Sequence, residues 1–203
     1  MPEWFFRGGI AMWPLLVCSI AGVAIILERI WALQRRRVIS PVLAAAIERR
    51  PATAEQTDAL RVLSETDETV LGDLVQAVFA HASLPKTENV EMLQALARQI
   101  VGRMERGLTT LSLIAELGPL LGLLGTVIGM VQLFEDVAKK GLGEPAMISR
   151  GIYQALTATM TGLSIAIPAL IAYMYLRRRI EVLVLELERH MDELLTRLYR
   201  DPQ

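Results

Sequence analysis

Gly118-Pro119-Leu120-Leu121-Gly122-Leu123-Leu124-Gly125-Thr126-Val127-Ile128-Gly129-Met130 decides how this chain must fold. The stretch carries no charge, and its glycines at 118, 122, 125 and 129 recur in steps of three and four residues. On a helix those steps form one glycine-lined face, where a second backbone can approach closely. The run extends from about Leu111 to Phe134, and a bilayer span needs about 20 mostly apolar residues at ~1.5 Å rise each. Pro119 frees a backbone carbonyl one turn earlier and predicts a bend. The glycines read as packing devices. Thr126 reads either as a hydroxyl bonded to its own backbone or as a polar group with a function.

Two more runs have spanning length, from about Ile10 to Leu27 and from about Ala155 to Leu176. The composition agrees. Of 203 residues, 53% are hydrophobic and 21% are charged, with a mean hydropathy of +0.39. Charge and apolar surface must therefore be segregated along the chain, as in a membrane protein with water-exposed parts. A net charge of −1 gives no ground for a nucleic-acid partner. Cys18, the single cysteine, lies in the first apolar run and reads as a small lipid- or helix-facing residue. Arg7 is the only basic side chain before that run, and Glu28-Arg29-Ile30-Trp31-Ala32-Leu33 ends it without a small-residue cleavage site. A retained helix is expected, anchored by Trp31.

Arg35-Arg36-Arg37 follow the first run and Arg177-Arg178-Arg179 the third. Basic residues flanking spans face the cytoplasm, and two arginine triplets outweigh Lys139 and Lys140 between the second and third runs. The expected fold is an all-α integral membrane protein with three transmembrane helices, its N-terminus outside and its C-terminus inside. Its parts are an N-terminus and first span (1–34), a cytoplasmic helical region (35–108), a second span (109–135), an external loop (136–149, with Glu135, Asp136 and Glu144 around it), a third span (150–176) and a cytoplasmic C-terminal helix (177–203).

Within the cytoplasmic region Pro41, Pro51 and Leu84-Pro85 punctuate, and Ala52 to Glu68 is polar. Val70, Leu71, Leu74, Val75, Val78 and Phe79 keep helical spacing. From Glu88 a helix with Met92, Leu93, Leu96, Ile100 and Val101 is expected to run into the second span, since no strong breaker precedes Gly118-Pro119. Leu183, Leu187, Leu194 and Leu198 continue a helical period beyond the third span. That span and its extension predict a rod of roughly 75–80 Å.

The third run opens Gly151-Ile152-Tyr153-Gln154-Ala155-Leu156-Thr157-Ala158-Thr159-Met160-Thr161-Gly162-Leu163, and Ala166-Ile167-Pro168-Ala169 follow. Three threonines and a glutamine in one span need partners or water. At ~100° per residue Gln154, Thr157, Ala158 and Thr161 share a face with Ala172, whereas Thr159 lies about 140° from Gln154. Two polar sides suit a helix that meets neighbours and a lumen. They suit interhelical hydrogen bonding without transport equally well. Glu116 reads as an ion exit near the cytoplasmic mouth or as the partner of an arginine such as Arg103 or Arg106. His81 and His190 have no companions at metal-ligand spacing. Neither a Walker loop nor a G-x-S-x-G pattern occurs, so no cofactor, metal or enzyme reaction is expected, and energy would have to come from an ion gradient.

The string from Gly118 to Met130 resembles the second-span signature of the ExbB/TolQ/MotA family, A-P-x-x-G-L-x-G-T-V-x-G. The string from Gly151 to Ala169 is similar to its third-span signature, G-I-x-[EQ]-A-L-x-x-T-x-x-G-L-x-x-A-I-P-A. Trp13-Pro14 and Glu28-Arg29 fit the ends of the family's first span, while 37–108 shows only a compatible helical pattern. Three spans resemble ExbB or TolQ rather than MotA, which has four.

The resemblance implies an inner-membrane protein forming a homopentameric ring around a single-span partner, ExbD or TolR, which carries an intramembrane aspartate. Protons or sodium ions then pass along the contact and drive rotation, and the work reaches the outer membrane through a TonB- or TolA-like protein. On this likeness Thr126 and Thr159 flank the partner's aspartate, and Gln154, Thr157 and Thr161 belong to the ion pathway. Gly118, Pro119, Gly122, Gly125, Gly129 and Pro168 belong to helix packing. Gln154 stands where several members have glutamate. It cannot release a proton, so the ionisable group must come from the partner. A non-conducting membrane scaffold for such a partner is the alternative.

Overall fold

The computed structural model describes residues 9–49, 54–141 and 145–199. Arg7, Pro51 and Glu144 lie outside these. Every regular element among the described residues is helical: α1 (Met12–Ala32), α2 (Arg35–Val38), α3 (Pro41–Glu48), α4 (Ala54–Glu65), α5 (Val70–Ala80), α6 (Lys86–Met104), α7 (Leu108–Lys140) and α8 (Pro145–Leu198). Three of them, α1, α7 and α8, are long and apolar enough to cross a membrane.

The local signals for these boundaries are visible. Ser40 caps α3, its hydroxyl accepting the Leu43 amide at 3.4 Å with Pro41 at the first helical position. Thr69 caps α5 by accepting the Gly72 amide at 3.3 Å. The polar stretch after Pro51 contains α4. One expectation fails. The helix beginning near Glu88 does not run into the second span: α6 stops at Met104, and α7 starts after Gly107, whose φ of +82° is a left-handed turn.

The chain divides into two compact units. The first holds α1 up to Glu28, α7, and α8 up to Tyr175. Ala11 lies against Gly125 and Gly22 against Ile114, so α1 and α7 are antiparallel. Gly118 lies against Ala166 and Gly129 against Ala155, so α7 and α8 are antiparallel too. Three successive helices thus alternate in direction, as successive crossings require. Met12 and Leu15 form a small core with Leu16, Leu121 and Ile165. Only 17% of the most apolar window of α1, and 33% of those of α7 and α8, is buried. Val17, Leu124 and Met160 are among the large apolar side chains left outward. Water would penalise that surface, whereas lipid or further chains accept it.

The second unit holds residues 29–106 and the rest of α8. Leu43, Ile47, Leu71, Val75 and Val78 are buried, with Leu183, Leu187, Met191 and Leu194 from α8. Asn89 is buried and donates through Nδ2 to the Val78 carbonyl at 3.1 Å and the Tyr199 hydroxyl at 2.8 Å; that hydroxyl donates to the Leu84 carbonyl at 3.0 Å. Arg197 bonds the Ile47 carbonyl and Glu193. Helix α8 is continuous over 54 residues, about 81 Å at 1.5 Å per residue.

Candidate functional site

Glycine sets the distance between α7 and α8. An ideal Cβ on Gly122 would lie 3.0 Å from the Thr159 Cα and 3.1 Å from the Ala158 carbonyl oxygen. One on Gly125 would lie 2.5 Å from the Ala158 Cβ and 3.0 Å from the Ala11 Cβ. From the other side, a Cβ on Gly162 would lie 2.5 Å from the Gly118 carbonyl oxygen. The backbones touch, so van der Waals contact holds the pair where lipid offers no hydrophobic drive. Pro119 and Pro168 both sit inside these helices. Each denies an amide to the carbonyl four residues earlier.

Close approach brings Thr159 to α7. Its hydroxyl donates to the Gly122 carbonyl at 3.1 Å. Thr126 lies one turn further along α7 and bonds the Leu123 carbonyl at 2.6 Å. Both threonines are half-buried. Gln154 donates to Gln132 of α7 at 3.4 Å, and an ideal Cβ on Gly9 would lie 2.7 Å from its Nε2. Thr157 and Thr161 stand apart from this contact. Their hydroxyls bond the Tyr153 carbonyl at 2.7 Å and the Thr157 carbonyl at 2.8 Å, and with Tyr153, Met160 and Ser164 they line a groove of about 340 Å³. Glu116 is exposed and accepts from Ser112 at 3.2 Å, one turn earlier on its own helix.

The structure therefore joins Thr159 to the Thr126 turn and Gln154 to Gln132, and sets Thr157 and Thr161 on a second polar side. Sequence reasoning missed three participants. Gln132 was detectable as an isolated amide in an apolar run. Gly151 and Gly162 were visible as glycines, but their partners, Leu133 and Gly118, depend on the register between helices. Ala158, placed by periodicity with Thr157 and Thr161, is fully buried against Gly125. Among the described residues no group of three His, Cys, Asp or Glu side chains comes together.

Three apolar helices of alternating direction, two in backbone contact with hydroxyl and amide groups along the seam, define a polytopic membrane protein. The chain belongs to the MotA/TolQ/ExbB proton channel family, whose profile matches residues 62–189. It is 35% identical over 179 residues to a Synechocystis protein with an ExbB-like biopolymer transport name, covering 83% of this chain and 67% of that one. It is 28% identical over 198 residues to the biopolymer transport protein ExbB of Neisseria meningitidis serogroup A, covering 91% and 88%. A Methanothermobacter thermautotrophicus ExbB homolog matches at 31% identity over 88% of this chain and 63% of its own length. The family is one of channel and transport proteins, not of enzymes.

Proposed function

We propose that the chain is the ion-conducting subunit of an ExbB–ExbD or TolQ–TolR type motor in the bacterial inner membrane. Five copies surround a single-span partner whose intramembrane aspartate carries the charge, and the complex passes protons or sodium ions to drive a TonB- or TolA-like protein. The N-terminus lies in the periplasm and the C-terminus in the cytoplasm, following the arginine triplets. The observation that carries this reading is the Thr159–Gly122 hydrogen bond beside Thr126, in helices of spanning length within a chain of the proton channel family. The described polar groups at this seam are hydroxyls and amides, which orient water or ligate a cation without titrating. Each charge that crosses supplies about 2.3 kcal/mol per 100 mV.

A second reading, a scaffold that packs a partner and conducts nothing, has support in Thr126, Thr157 and Thr161, whose hydroxyls bond their own helices. Native mass spectrometry of the full chain co-expressed with an ExbD- or TolR-type protein tests the assembly. Five copies with two of the partner are expected. A monomer or dimer that ignores the partner overturns the motor.

A further inference from the structure

We propose that the two arginine triplets form one binding patch for the headgroup of an anionic phospholipid. Both belong to the second unit, and Glu186 ties the first triplet to the part of α8 that follows the second. Its carboxylate accepts from the Arg35 Nε at 3.1 and 3.2 Å, and Arg179 acts on the same carboxylate electrostatically. This pins α2 beside α8 about two turns beyond the second triplet. Arg177 and Arg178 share Glu181, at 3.6 and 3.2 Å. Six arginines thus stand against Glu181 and Glu186, with Glu48 acting on Arg35 from further off, and the excess positive charge follows the apolar stretches of α1 and α8.

The geometry favours a lipid over a soluble anion. Arg37 lies over the Trp31 ring, 3.4 Å from its centroid. Trp31 thus holds the Arg37 guanidinium by cation–π attraction, and a guanidinium can make two-point contact with phosphate. Arg36 and Arg37 are both exposed. Trp31, 58% exposed, and Ile30, 50% exposed, offer apolar surface beside those charges. An acyl chain uses that surface, and a free anion does not. Tryptophan favours the headgroup level of a membrane, which is where the patch must lie to meet a lipid phosphate. Clusters of basic residues at this level attract anionic lipid. The inference does not rest on ion conduction, and a non-conducting scaffold would carry the same patch.

The test uses the full chain purified in mild detergent with equal phosphatidylglycerol and phosphatidylcholine, and counts the lipids retained in native mass spectra. The wild type should retain phosphatidylglycerol preferentially. The Arg36→Gln/Arg37→Gln variant should lose about twenty-five-fold of that preference, at about fivefold per arginine. Arg36→Lys/Arg37→Lys keeps the charge without the two-point geometry and should fall between them, which guards against a glutamine variant that fails to fold. No preference in the wild type, or an undiminished one in a folded glutamine variant, overturns the proposal. So does displacement of the lipid by excess inorganic phosphate, which would reveal a site for soluble anions.

Discussion

The hydroxyl of Thr159 donates to the carbonyl of Gly122 at 3.1 Å, across the seam between α7 and α8. By helix geometry that carbonyl also accepts the amide of Thr126, four residues on. The two threonines therefore meet on one turn of α7, one from each helix. Their duties differ, because Thr126 turns its hydroxyl back to Leu123 at 2.6 Å. One threonine links the helices, and the other is satisfied locally.

Valine in place of each separates packing from transport. Thr159→Val removes the interhelical bond and should cost about 0.6 kcal/mol, with an upper bound near ~1.7 kcal/mol. Thr126→Val removes only a bond within its own helix and should change stability less. Thermal unfolding in detergent checks both. Both variants should assemble with the partner yet lose ion flux in proteoliposomes, whereas Thr159→Ser should retain it. Normal flux in both valine variants would remove these positions from the pathway.

How much was legible follows from the range of each interaction. Apolar runs of spanning length declare themselves, because a bilayer demands many residues in a row. The glycine face of α7 was legible for the same local reason. Its counterpart was not: periodicity put Ala158 among the threonines of α8, while packing turned it to Gly125. The break before the second span was also hidden. Gly102 and Gly107 look alike in sequence, yet Gly102 stays within α6 and Gly107 adopts φ +82°. The sequence around them does not say which one turns, because contacts formed elsewhere in the fold decide it. The Gln154–Gln132 pair was hidden for a similar reason, since it joins residues 22 apart.

Asp67 should make the start of α5 sensitive to acid. Burial raises its pKa, but hydrogen bonds from Ser40 and Thr69 outweigh that and hold the carboxyl below its ordinary 3.8. The Thr69 amide donates to it at 2.9 Å. A folded pKa below the unfolded one means that the stabilisation is complete above 3.8 and is lost as pH falls through the lowered value. Asp67→Ala should lower protection of the Thr69 amide at pH 7 by about 1 kcal/mol, and the gap to wild type should close as pH drops below that range. Hydrogen exchange read by mass spectrometry measures it. A gap that does not change with pH would mean that the carboxylate's charge is irrelevant there.

Tyr199 and Asn89 tie the end of α8 to the α5–α6 turn. Tyr199→Phe deprives the buried Asn89 Nδ2 of one acceptor and the Leu84 carbonyl of its donor. A buried polar group left unpaired costs about 1–3 kcal/mol. Residues 81–85 should then exchange faster and be cut sooner by protease. Asn89→Ala in the Tyr199→Phe background should add less than it does alone, since the two share one bond. Fully additive effects would mean that the hydrogen bond carries no coupling.

One of the two tightest contacts between α7 and α8 allows a swap. At Gly125 a methyl would come within 2.5 Å of the Ala158 Cβ, an atom with no rotamer to escape by. Gly125→Ala should therefore push α7 from α8 and destabilise the chain by about 1–3 kcal/mol, the usual range for overpacking. Ala158→Gly alone leaves a small void and a weaker helix position, at about 1 kcal/mol. Together the two changes move one methyl across the seam. The nearest remaining obstacle is the Ala11 Cβ at 3.0 Å, which a shift of a few tenths of an ångström relieves. The double variant should accordingly be more stable than Gly125→Ala and should recover assembly with the partner. Thermal unfolding of the four proteins in detergent measures the coupling. If the double variant is as unstable as the sum of the singles, Ala158 is not what Gly125 must avoid, and the register of α7 against α8 is different from the one that seats Thr159 on Gly122.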